Sequence, residues 1–382
     1  MLIKKLKDCC TIIAGQSPES KYYNTEGVGI PFFQGKADFG EVYPTIRVYC
    51  SQPTKIAEKD DILLSVRAPV GPTNLSPGTV CIGRGLTAIR PSEILNLRYL
   101  LHYFRYFEAQ LQQIGTGTTF KAITQDVIKN LEVPIPPLDE QERIVARIEE
   151  LFSELDNGME TLRKTKQQLA VYRQAVLKDA FAHITDKKPI REMSSVVTSG
   201  SRGWAQYYSD HGAKFVRIGN LTRDRIRIDL SDIQYVDLPD GAEGKRTQLQ
   251  PNDVLVSITA DLGSIGLVPD DIGEAYVNQH IAMIRFNNPE QGEFMAWYLR
   301  SDYGQKDLLK NKRGGGKLGL GLDDIRDSRV PVVSDAEAIR IVESIEARLS
   351  VCDSIEKTVD TALQEAEAMR QSILKQAFVG GL

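Results

Sequence analysis

Two long stretches of the chain place an apolar residue at every seventh position. The first stretch, 139–184, contains no proline and a single glycine. A sustained seven-residue repeat is typical of a coiled coil, and about 40 residues of helix extend for roughly 60 Å. The pattern therefore predicts two long helices. The repeating positions are Ile148, Leu155, Leu162, Leu169 and Val176 in the first stretch, and Ile345, Cys352, Val359, Ala366 and Ile373 in the second.

Both stretches open with a helix-start signal. Asp139 is followed three residues later by Glu142, and Ser334 is followed three residues later by Glu337. A short polar side chain with an acidic residue three positions on is typical of a helix N-cap. We therefore predict that the two helices begin immediately after Asp139 and Ser334.

Short β-rich runs and shorter amphipathic helices fill the rest of each half at equivalent places. This alternation predicts an α+β fold in which two globular domains of α/β type are joined by the long helices. The strand candidates are 63–66, 80–83, 254–258 and 280–286, and the helix candidates are 97–114 and 293–309. The predicted domains are 1–138 and 185–333, and the predicted long helices are 139–184 and 334–382.

The two halves repeat one another. The decapeptide YRQAVLKDAF at 172–181 returns as MRQSILKQAF at 369–378, and DDILLSV at 60–66 returns as NDVLVSI at 252–258. Two copies are too few for a solenoid, so the repeat predicts a pseudo-two-fold dimer within one chain. Helices related by such a two-fold pair antiparallel. We therefore expect the two domains at opposite ends of a helical bar.

The charge of the chain is uneven. The net charge is −4 at neutral pH, and residues 335–382 hold nine acidic and five basic residues, an excess equal to that of the whole chain. The five cysteines form no CxxC pair and the four histidines are scattered, so neither a disulfide framework nor a zinc cluster is expected. No apolar run approaches the length of a membrane span or of a signal peptide.

The sequence lacks the motifs of several enzyme classes. There is no HExxH or GxSxG. The glycine-rich loops at 115–123 and 313–321 do not have P-loop spacing. We expect no metal and no catalytic residue in this chain.

Polar, basic and aromatic residues gather in the predicted loops of both domains. Arginine and lysine pair with guanine edges, and asparagine and glutamine with adenine edges, so these loops are candidates for DNA contacts, although a single surface arginine is more often only solvated. The candidates are Lys21, Tyr22, Tyr23, Gln34, Lys36, Arg67, Asn74, Arg84 and Lys121 in the first domain, and Arg202, Trp204, Tyr207, Arg217, Asn220, Arg223, Asn278, Gln279, His280, Lys312, Arg313 and Lys317 in the second.

One stretch gives the chain a family resemblance. VPIPPLDEQERIVARIEELFSELD at 133–156 resembles the segment that closes the first half of specificity (S) subunits of type I DNA restriction–modification systems. The order of domain, helix, domain, helix is also similar to that family. The second copy reads VPVVSDAEAIRIV and lacks the equivalents of Glu140 and Gln141.

The resemblance implies a bacterial or archaeal cytoplasmic, non-catalytic targeting subunit. Each domain would read one half of a bipartite site in double-stranded DNA. The helices would set the gap and dock two modification (methyltransferase) subunits, with restriction subunits joining them. S-adenosylmethionine and ATP would be bound by those partners, and this chain would hold no cofactor. The candidates for subunit docking or helix pairing are Glu140, Gln141, Ile148, Leu155, Leu162, Leu169, Val176, Ile345, Cys352, Val359 and Ile373.

Two other hypotheses remain open at this stage. The chain could be a coiled-coil scaffold whose globular domains bind proteins, or, less in keeping with its motifs, a stand-alone nuclease or methyltransferase. Selection of two short DNA motifs at a constant gap would favour bipartite DNA recognition over the scaffold.

Overall fold

The computed structural model describes residues 2–115, 122–200, 202–223, 225–239, 245–310 and 319–380. The chain folds into two compact units. Unit 1 is formed by 1–162 with 361–382, and unit 2 by 163–360. Each long helix therefore contributes one part to each unit. Within the described residues, no helix has the length and apolar character that a membrane crossing requires.

The first half of the chain contains four α-helices and eleven strands among its described residues. The helices are α1 (Leu6–Cys9), α2 (Leu97–Ile114), α3 (Gln125–Asn130) and the long α4 (Leu138–Phe181). The strands are β1 (Leu2–Lys5), β2 (Cys10–Ala14), β3 (Tyr23–Asn24), β4 (Ile30–Phe33), β5 (Tyr49–Cys50), β6 (Ile56–Ala57), β7 (Ile62–Ser65), β8 (Thr73–Leu75), β9 (Val80–Ile82), β10 (Leu86–Pro91) and β11 (Glu132–Ile135).

The second half follows the same plan. Its helices are α5 (Ile190–Met193), α6 (Gly292–Arg300), α7 (Asp302–Leu308), α8 (Leu322–Asp327) and the long α9 (Asp335–Lys375), which continues as a π-helical turn at Gln376–Gly380. Its strands are β12 (Lys187–Pro189), β13 (Ser194–Ser199), β14 (Tyr208–Ser209), β15 (Ala213–Val216), β16 (Gln234–Val236), β17 (Val254–Ser257), β18 (Ile265–Leu267), β19 (Ala275–Val277), β20 (Ile281–Phe286) and β21 (Arg329–Pro331).

Sheet topology repeats between the two halves. The order β2-β10-β7-β8 in unit 1 corresponds to β13-β20-β17-β18 in unit 2. The order β3-β5-β4-β9-β6 corresponds to β14-β16-β15-β19, and in both sheets one pair is parallel, β4 with β9 and β15 with β19. The short ribbon β1-β11 corresponds to β12-β21. The repeat predicted from the sequence is thus a repeat of whole domains.

Apolar faces of the sheets and helices form one large core in each unit. In unit 1, α2 buries Tyr99, Leu100 and Phe104 against the β2-β10-β7-β8 sheet. Asn96 caps this helix, since its side chain accepts hydrogen bonds from the backbone N–H groups of Arg98 and Tyr99. The amphipathic pattern at 97–114 predicted this helix correctly.

The predicted helix at 293–309 is wrong as a single element. The structure divides it into α6 and α7 at Ser301, whose hydroxyl donates to the carbonyl of Tyr298 and accepts from the N–H of Gly304. A Cβ on Gly304 would lie 2.3 Å from the Tyr298 carbonyl oxygen. The close approach of these two backbones therefore requires glycine at this turn.

The long helices pair antiparallel within each unit. In unit 1, Ile148 and Phe152 of α4 pack in one cluster with Ile373 and Leu374 of α9. In unit 2, Val176 and Phe181 of α4 share a cluster with Ala338 and Ile345 of α9. Ion pairs of unit 2 give the direction, because residue numbers rise along α4 as they fall along α9. These pairs are Lys166 with Asp360 at 2.8 Å, Arg173 with Glu356 at 2.9 Å and Asp179 with Arg348 at 2.9 Å.

The first heptad seam lies inside the helix pairs. All five predicted seam residues of α9 are buried, as are Ile148, Leu169 and Val176 of α4. Leu155 and Leu162 are half-buried. The second heptad seam is weaker in apolar character, and its members Tyr172, Ile355 and Met369 are exposed. This seam consists of Leu151, Gly158, Thr165 and Tyr172 in α4, and Arg348, Ile355, Ala362 and Met369 in α9.

The two helix starts differ from one another. In α9 the hydroxyl of Ser334 accepts a hydrogen bond from the N–H of Glu337, as predicted. The predicted cap at Asp139 is wrong, because α4 begins at Leu138 and Asp139 lies in the first turn. There the acidic side chain complements the positive end of the helix dipole instead.

Candidate nucleic-acid interface

A polar cleft opens in unit 1 where β4 and β7 end and β10 begins. We call it cleft 1. It has a volume of about 600 Å³ and is lined by four of the predicted DNA-contact residues, Gln34, Lys36, Arg67 and Arg84, all of which are exposed. These residues are up to fifty positions apart in the sequence. The sheet therefore brings three cations and one amide to a single concave surface.

The loop that carries Arg67 is fixed by a buried serine. Ser65, at the end of β7, donates its hydroxyl hydrogen towards the carbonyl oxygens of Arg67, at 3.1 Å, and Pro69, at 2.8 Å. Its backbone carbonyl accepts from Gly71, whose φ of +107° suits glycine. The guanidinium of Arg67 thus extends from a loop whose carbonyls at Arg67 and Pro69 are both held by Ser65.

Unit 2 contains a cleft at the equivalent position, which we call cleft 2. The β17 loop has the same closure, in which the Ser257 carbonyl accepts from Gly263 at 3.0 Å and the Ser257 hydroxyl donates to the Asp261 carbonyl. The next backbone bonds also correspond, because Val66 donates to Gly85 in unit 1, and Ile258 donates to His280 in unit 2. Cleft 2 has a volume of about 850 Å³. Its polar and aromatic lining includes Arg202, Trp204, Arg246, Thr259, Gln279 and His280.

A buried ion pair supports the sheet behind each cleft. In unit 1 the carboxylate of Asp61, which is 1% exposed, receives two hydrogen bonds from Arg90, at 2.7 and 2.9 Å. In unit 2 Asp253 receives two from Arg285, at 2.8 and 2.7 Å. Burial raises the pKa of Asp253, whereas the hydrogen bonds from Arg285 act in the opposite direction. Bidentate pairs of this kind hold the start of β7 and β17 in a defined geometry.

Three asparagines among the predicted contacts are buried. Asn74 donates to the Gly40 carbonyl and accepts from the Gly40 N–H. Asn220 accepts from the Arg217 N–H and donates to the Asp229 carbonyl. Asn278 accepts from the His280 N–H. These side chains hold loops in place, and contact with a base would require local rearrangement.

The predicted aromatic residues belong mainly to small clusters below the surface. Tyr23 stacks near Phe32, with ring centroids 4.7 Å apart, and donates its hydroxyl to the Pro18 carbonyl. Trp204 is 6% exposed and packs against Phe215, although its edge still lines cleft 2. Tyr22 and Tyr207 are half-buried beside the same clusters.

The other predicted cations outside the clefts differ in their contacts. Lys21 is exposed and pairs with Glu19 at 2.7 Å. Arg223 pairs with Asp261 at 2.6 Å and therefore braces the β17 loop. Arg217 lines a separate cavity of about 480 Å³ with Asn220. Lys121, Lys312, Arg313 and Lys317 lie outside the described residues.

The predicted docking residues at the start of α4 have different surroundings. Glu140 pairs with Arg143 on the surface. Gln141 is fully buried, where its carbonyl accepts from the Asn96 N–H at 2.7 Å and its amide donates to the carbonyls of Ile94 and Pro136. In unit 2, which lacks this glutamine, Gln291 and Asn288 donate to the Asp335 carboxylate instead.

The structure adds residues that the sequence reasoning missed. Arg246, Thr259 and Ser199 line cleft 2, and Ser17 lines cleft 1. Extending the alignment of DDILLSV with NDVLVSI by one residue would have paired Arg67 with Thr259. Within the described residues, no group of three or more histidine, cysteine, aspartate or glutamate side chains is arranged to hold a metal ion.

Comparison with known proteins agrees with this two-unit architecture. The family model for the type I restriction modification DNA specificity domain matches residues 2–169 and 207–365. A Methanocaldococcus jannaschii protein, provisionally named as the MjaX type I restriction enzyme specificity subunit, is 43% identical over 159 residues, which cover 41% of this chain and 36% of that protein. The Escherichia coli EcoBI specificity subunit is 25% identical over 321 residues, covering 75% of this chain and 66% of that subunit.

Two solved structures have the same fold. A chain from a study of complex assembly and conformational transition in the type I R-M system has a TM-score of 0.77 at 18% identity, with 100% of this chain and 98% of that chain covered. The HsdS subunit from Thermoanaerobacter tengcongensis has a TM-score of 0.60 at 18% identity, with 100% and 97% covered. The matched regions span about one third of the MjaX relative and about two thirds of the EcoBI relative.

Proposed function

The chain belongs to the family defined by the type I restriction modification DNA specificity domain, and from that premise we propose that it is the DNA-targeting subunit of a type I restriction–modification complex. Cleft 1 would read one half of a bipartite site and cleft 2 the other. The observation that carries the proposal is the equivalence of the two clefts, each built on a repeated sheet and lined by groups that pair with base edges. The chain itself would perform no catalysis.

We place the partners on the long helices. Exposed apolar side chains along the second heptad seam, including Tyr172, Ile355 and Met369, suit protein contacts. Two methyltransferase subunits would dock there and bring S-adenosylmethionine, and restriction subunits would bring ATP. The acidic segment 335–382 would face basic partner surfaces. Such an assembly would act in the cytoplasm, where the DNA lies.

Selection from random duplex DNA tests the proposal. The full chain, purified with its methyltransferase subunits, should enrich two short motifs separated by a constant gap. Arg67→Ala should relax selection in one motif and leave the other intact, because one arginine–guanine contact is worth about 1–3 kcal/mol. Enrichment of no motif would contradict DNA targeting and leave the protein-binding scaffold.

A further inference from the structure

The two clefts differ in chemistry at equivalent positions. The backbone bond from Val66 to Gly85 corresponds to the bond from Ile258 to His280. The residue before each acceptor is Arg84 in cleft 1 and Gln279 in cleft 2. Cleft 1 therefore presents a guanidinium where cleft 2 presents a carboxamide. The same position in the fold therefore carries two different hydrogen-bonding groups.

Three polar side chains form a hydrogen-bonded chain in cleft 2. The amide nitrogen of Gln279 lies 3.0 Å from Nε2 of His280. Nδ1 of the same ring lies 2.8 Å from the hydroxyl oxygen of Thr259. All three side chains are half-buried and line the cleft. The ring is thus bonded on both nitrogens.

The direction of these bonds follows from their chemistry. An amide NH₂ can only donate, so Nε2 of His280 must accept. A neutral imidazole that accepts at Nε2 carries its proton on Nδ1, and that proton goes to the Thr259 hydroxyl oxygen. The Thr259 hydroxyl oxygen thus accepts the proton that the Gln279 bond requires on Nδ1, and His280, held by Thr259, in turn fixes the orientation of the Gln279 amide.

This arrangement leaves a defined pair of groups on Gln279. One amide hydrogen is used by His280, while the second amide hydrogen and the carbonyl oxygen have no partner within the described part of the chain. Adenine offers the complementary pair in the major groove, since N7 accepts and the N6 amino group donates. A free glutamine could turn its amide over, but the bond to His280 opposes that rotation.

We propose that Gln279 is a specificity-determining residue of cleft 2 that reads the major-groove edge of an adenine, and that His280 and Thr259 are positioning residues that hold its amide in the reading orientation. This assignment rests on the proposed DNA-targeting function. In cleft 1 the equivalent residue is Arg84, whose guanidinium suits a guanine in the other half-site.

The first test compares variants on the selected site. The full chain with its methyltransferase subunits is given the duplex enriched from random DNA, with each base pair of both half-sites replaced in turn. Gln279→Ala should lose roughly 10- to 100-fold of discrimination at one A·T pair in a single half-site. Arg84→Ala is the matched control and should affect the other half-site. A Gln279→Ala variant that melts at the wild-type temperature and keeps full discrimination would overturn the assignment.

A base analogue identifies the atom that is read. Replacing the assigned adenine by 7-deazaadenine removes the N7 acceptor and should weaken wild-type binding about 10-fold. The same replacement should cost Gln279→Ala nothing further. An equal loss in both proteins would mean that another residue reads N7, which contradicts the assignment.

Thr259 gives the test of positioning. Thr259→Val removes the acceptor of the His280 Nδ1 proton and loosens the ring, so discrimination at the same A·T pair should fall several-fold. Thr259→Ser keeps the oxygen and should restore discrimination. If Thr259→Ser and Thr259→Val behave alike, the Thr259 hydroxyl has no positioning role. Failure to enrich any site contradicts the proposed function itself, whereas two half-sites insensitive to Gln279→Ala contradict only this inference.

Discussion

Gln141, in the first turn of α4, is fully buried, whereas the side chain of its neighbour Glu140 is partly exposed. Gln141 uses its carbonyl and its amide to join the first turn of α4 to the loop before α2. Its neighbour Glu140 makes a surface ion pair within the helix. Of these two adjacent residues, Gln141 therefore serves the fold, and only Glu140 has its side chain at the surface.

Gln141→Ala should destabilise unit 1 by about 2–4 kcal/mol, because three hydrogen bonds are lost and their buried backbone partners stay unpaired. Amide hydrogen exchange in α2 and the start of α4 measures the free energy of opening. Glu140→Ala is the matched control, with an expected change of at most about 1 kcal/mol. Equal protection in both variants would show that the buried amide contributes little.

At the scale of elements, the heptad seam of α9 is the main apolar contact between the long helices. Ile345 is fully buried in the core of unit 2, whereas Ile339, which lies earlier in the same helix, is half exposed. Isoleucine thus occurs on both the buried and the exposed side of α9. Substituting each residue in turn compares the two environments.

Ile345→Ala should lower the stability of unit 2 by about 2–5 kcal/mol, since the removed side chain leaves a cavity. Ile339→Ala should change it by about 0.5 kcal/mol or less. Hydrogen exchange of the β17 and β20 amides reports both values. A similar effect of the two substitutions would mean that the seam does not carry the pairing.

The contact between α6 and α9 should respond to pH. Burial, followed by the hydrogen bond and repulsion from Glu346, raises the pKa of Glu293 to about 7, although Arg227 at 3.2 Å opposes the shift. The unfolded chain releases this proton near pH 4.5. The folded state therefore binds the proton more tightly, and its stabilising effect is complete below pH 4.5 and lost as the pH rises to about 7.

Glu293→Gln should remove this loss and flatten the dependence of Tm on pH between about 5 and 7.5. The variant should melt above the wild type at pH 7.5, because glutamine keeps a hydrogen-bonding side chain without the charge. Thermal melts of the full chain at several pH values measure the effect. Glu290→Gln, at an exposed position, should leave the profile unchanged. An unchanged profile for Glu293→Gln would contradict the raised pKa of Glu293.

At the scale of the whole molecule, the long helices pass from one compact unit to the other near Leu162 and Asp360. If the helices set the gap between half-sites, their length in this region is the variable that matters. Four extra residues add about 6 Å of helix, and a base pair rises about 3.4 Å.

Inserting four residues after Thr165 and four after Asp360 should lengthen the gap in the selected DNA site by about one or two base pairs. The two motifs themselves should stay the same. Gly158→Ala, at an exposed helix position with room for a Cβ, is the control that should keep the original gap. An unchanged gap in the variant with lengthened helices would contradict the hypothesis that helix length sets the distance between half-sites.

Much of the fold could be predicted because its signals are local and periodic. The repeated decapeptide, the seven-residue seam through Ile148 and Ile345, and the strand runs predicted at 63–66 and 254–258 all depend on residues close in sequence. Buried residues recur with the period of a helix or strand. The second half of the chain repeats the same pattern of apolar positions. The antiparallel helix pair and the two α+β units follow from these patterns.

The candidate site depended on the tertiary structure. Residue type alone could not distinguish Asn220 from Gln279. The amide of Asn220 donates to a loop carbonyl, whereas the amide of Gln279 lines a cleft. Nor could it bring Arg246 and Thr259 to the same surface. Hydrogen-bond partners and concave surfaces arise from contacts between residues far apart in the chain. A sequence lists the groups that could bind, and the fold decides which of them are already bonded within the protein.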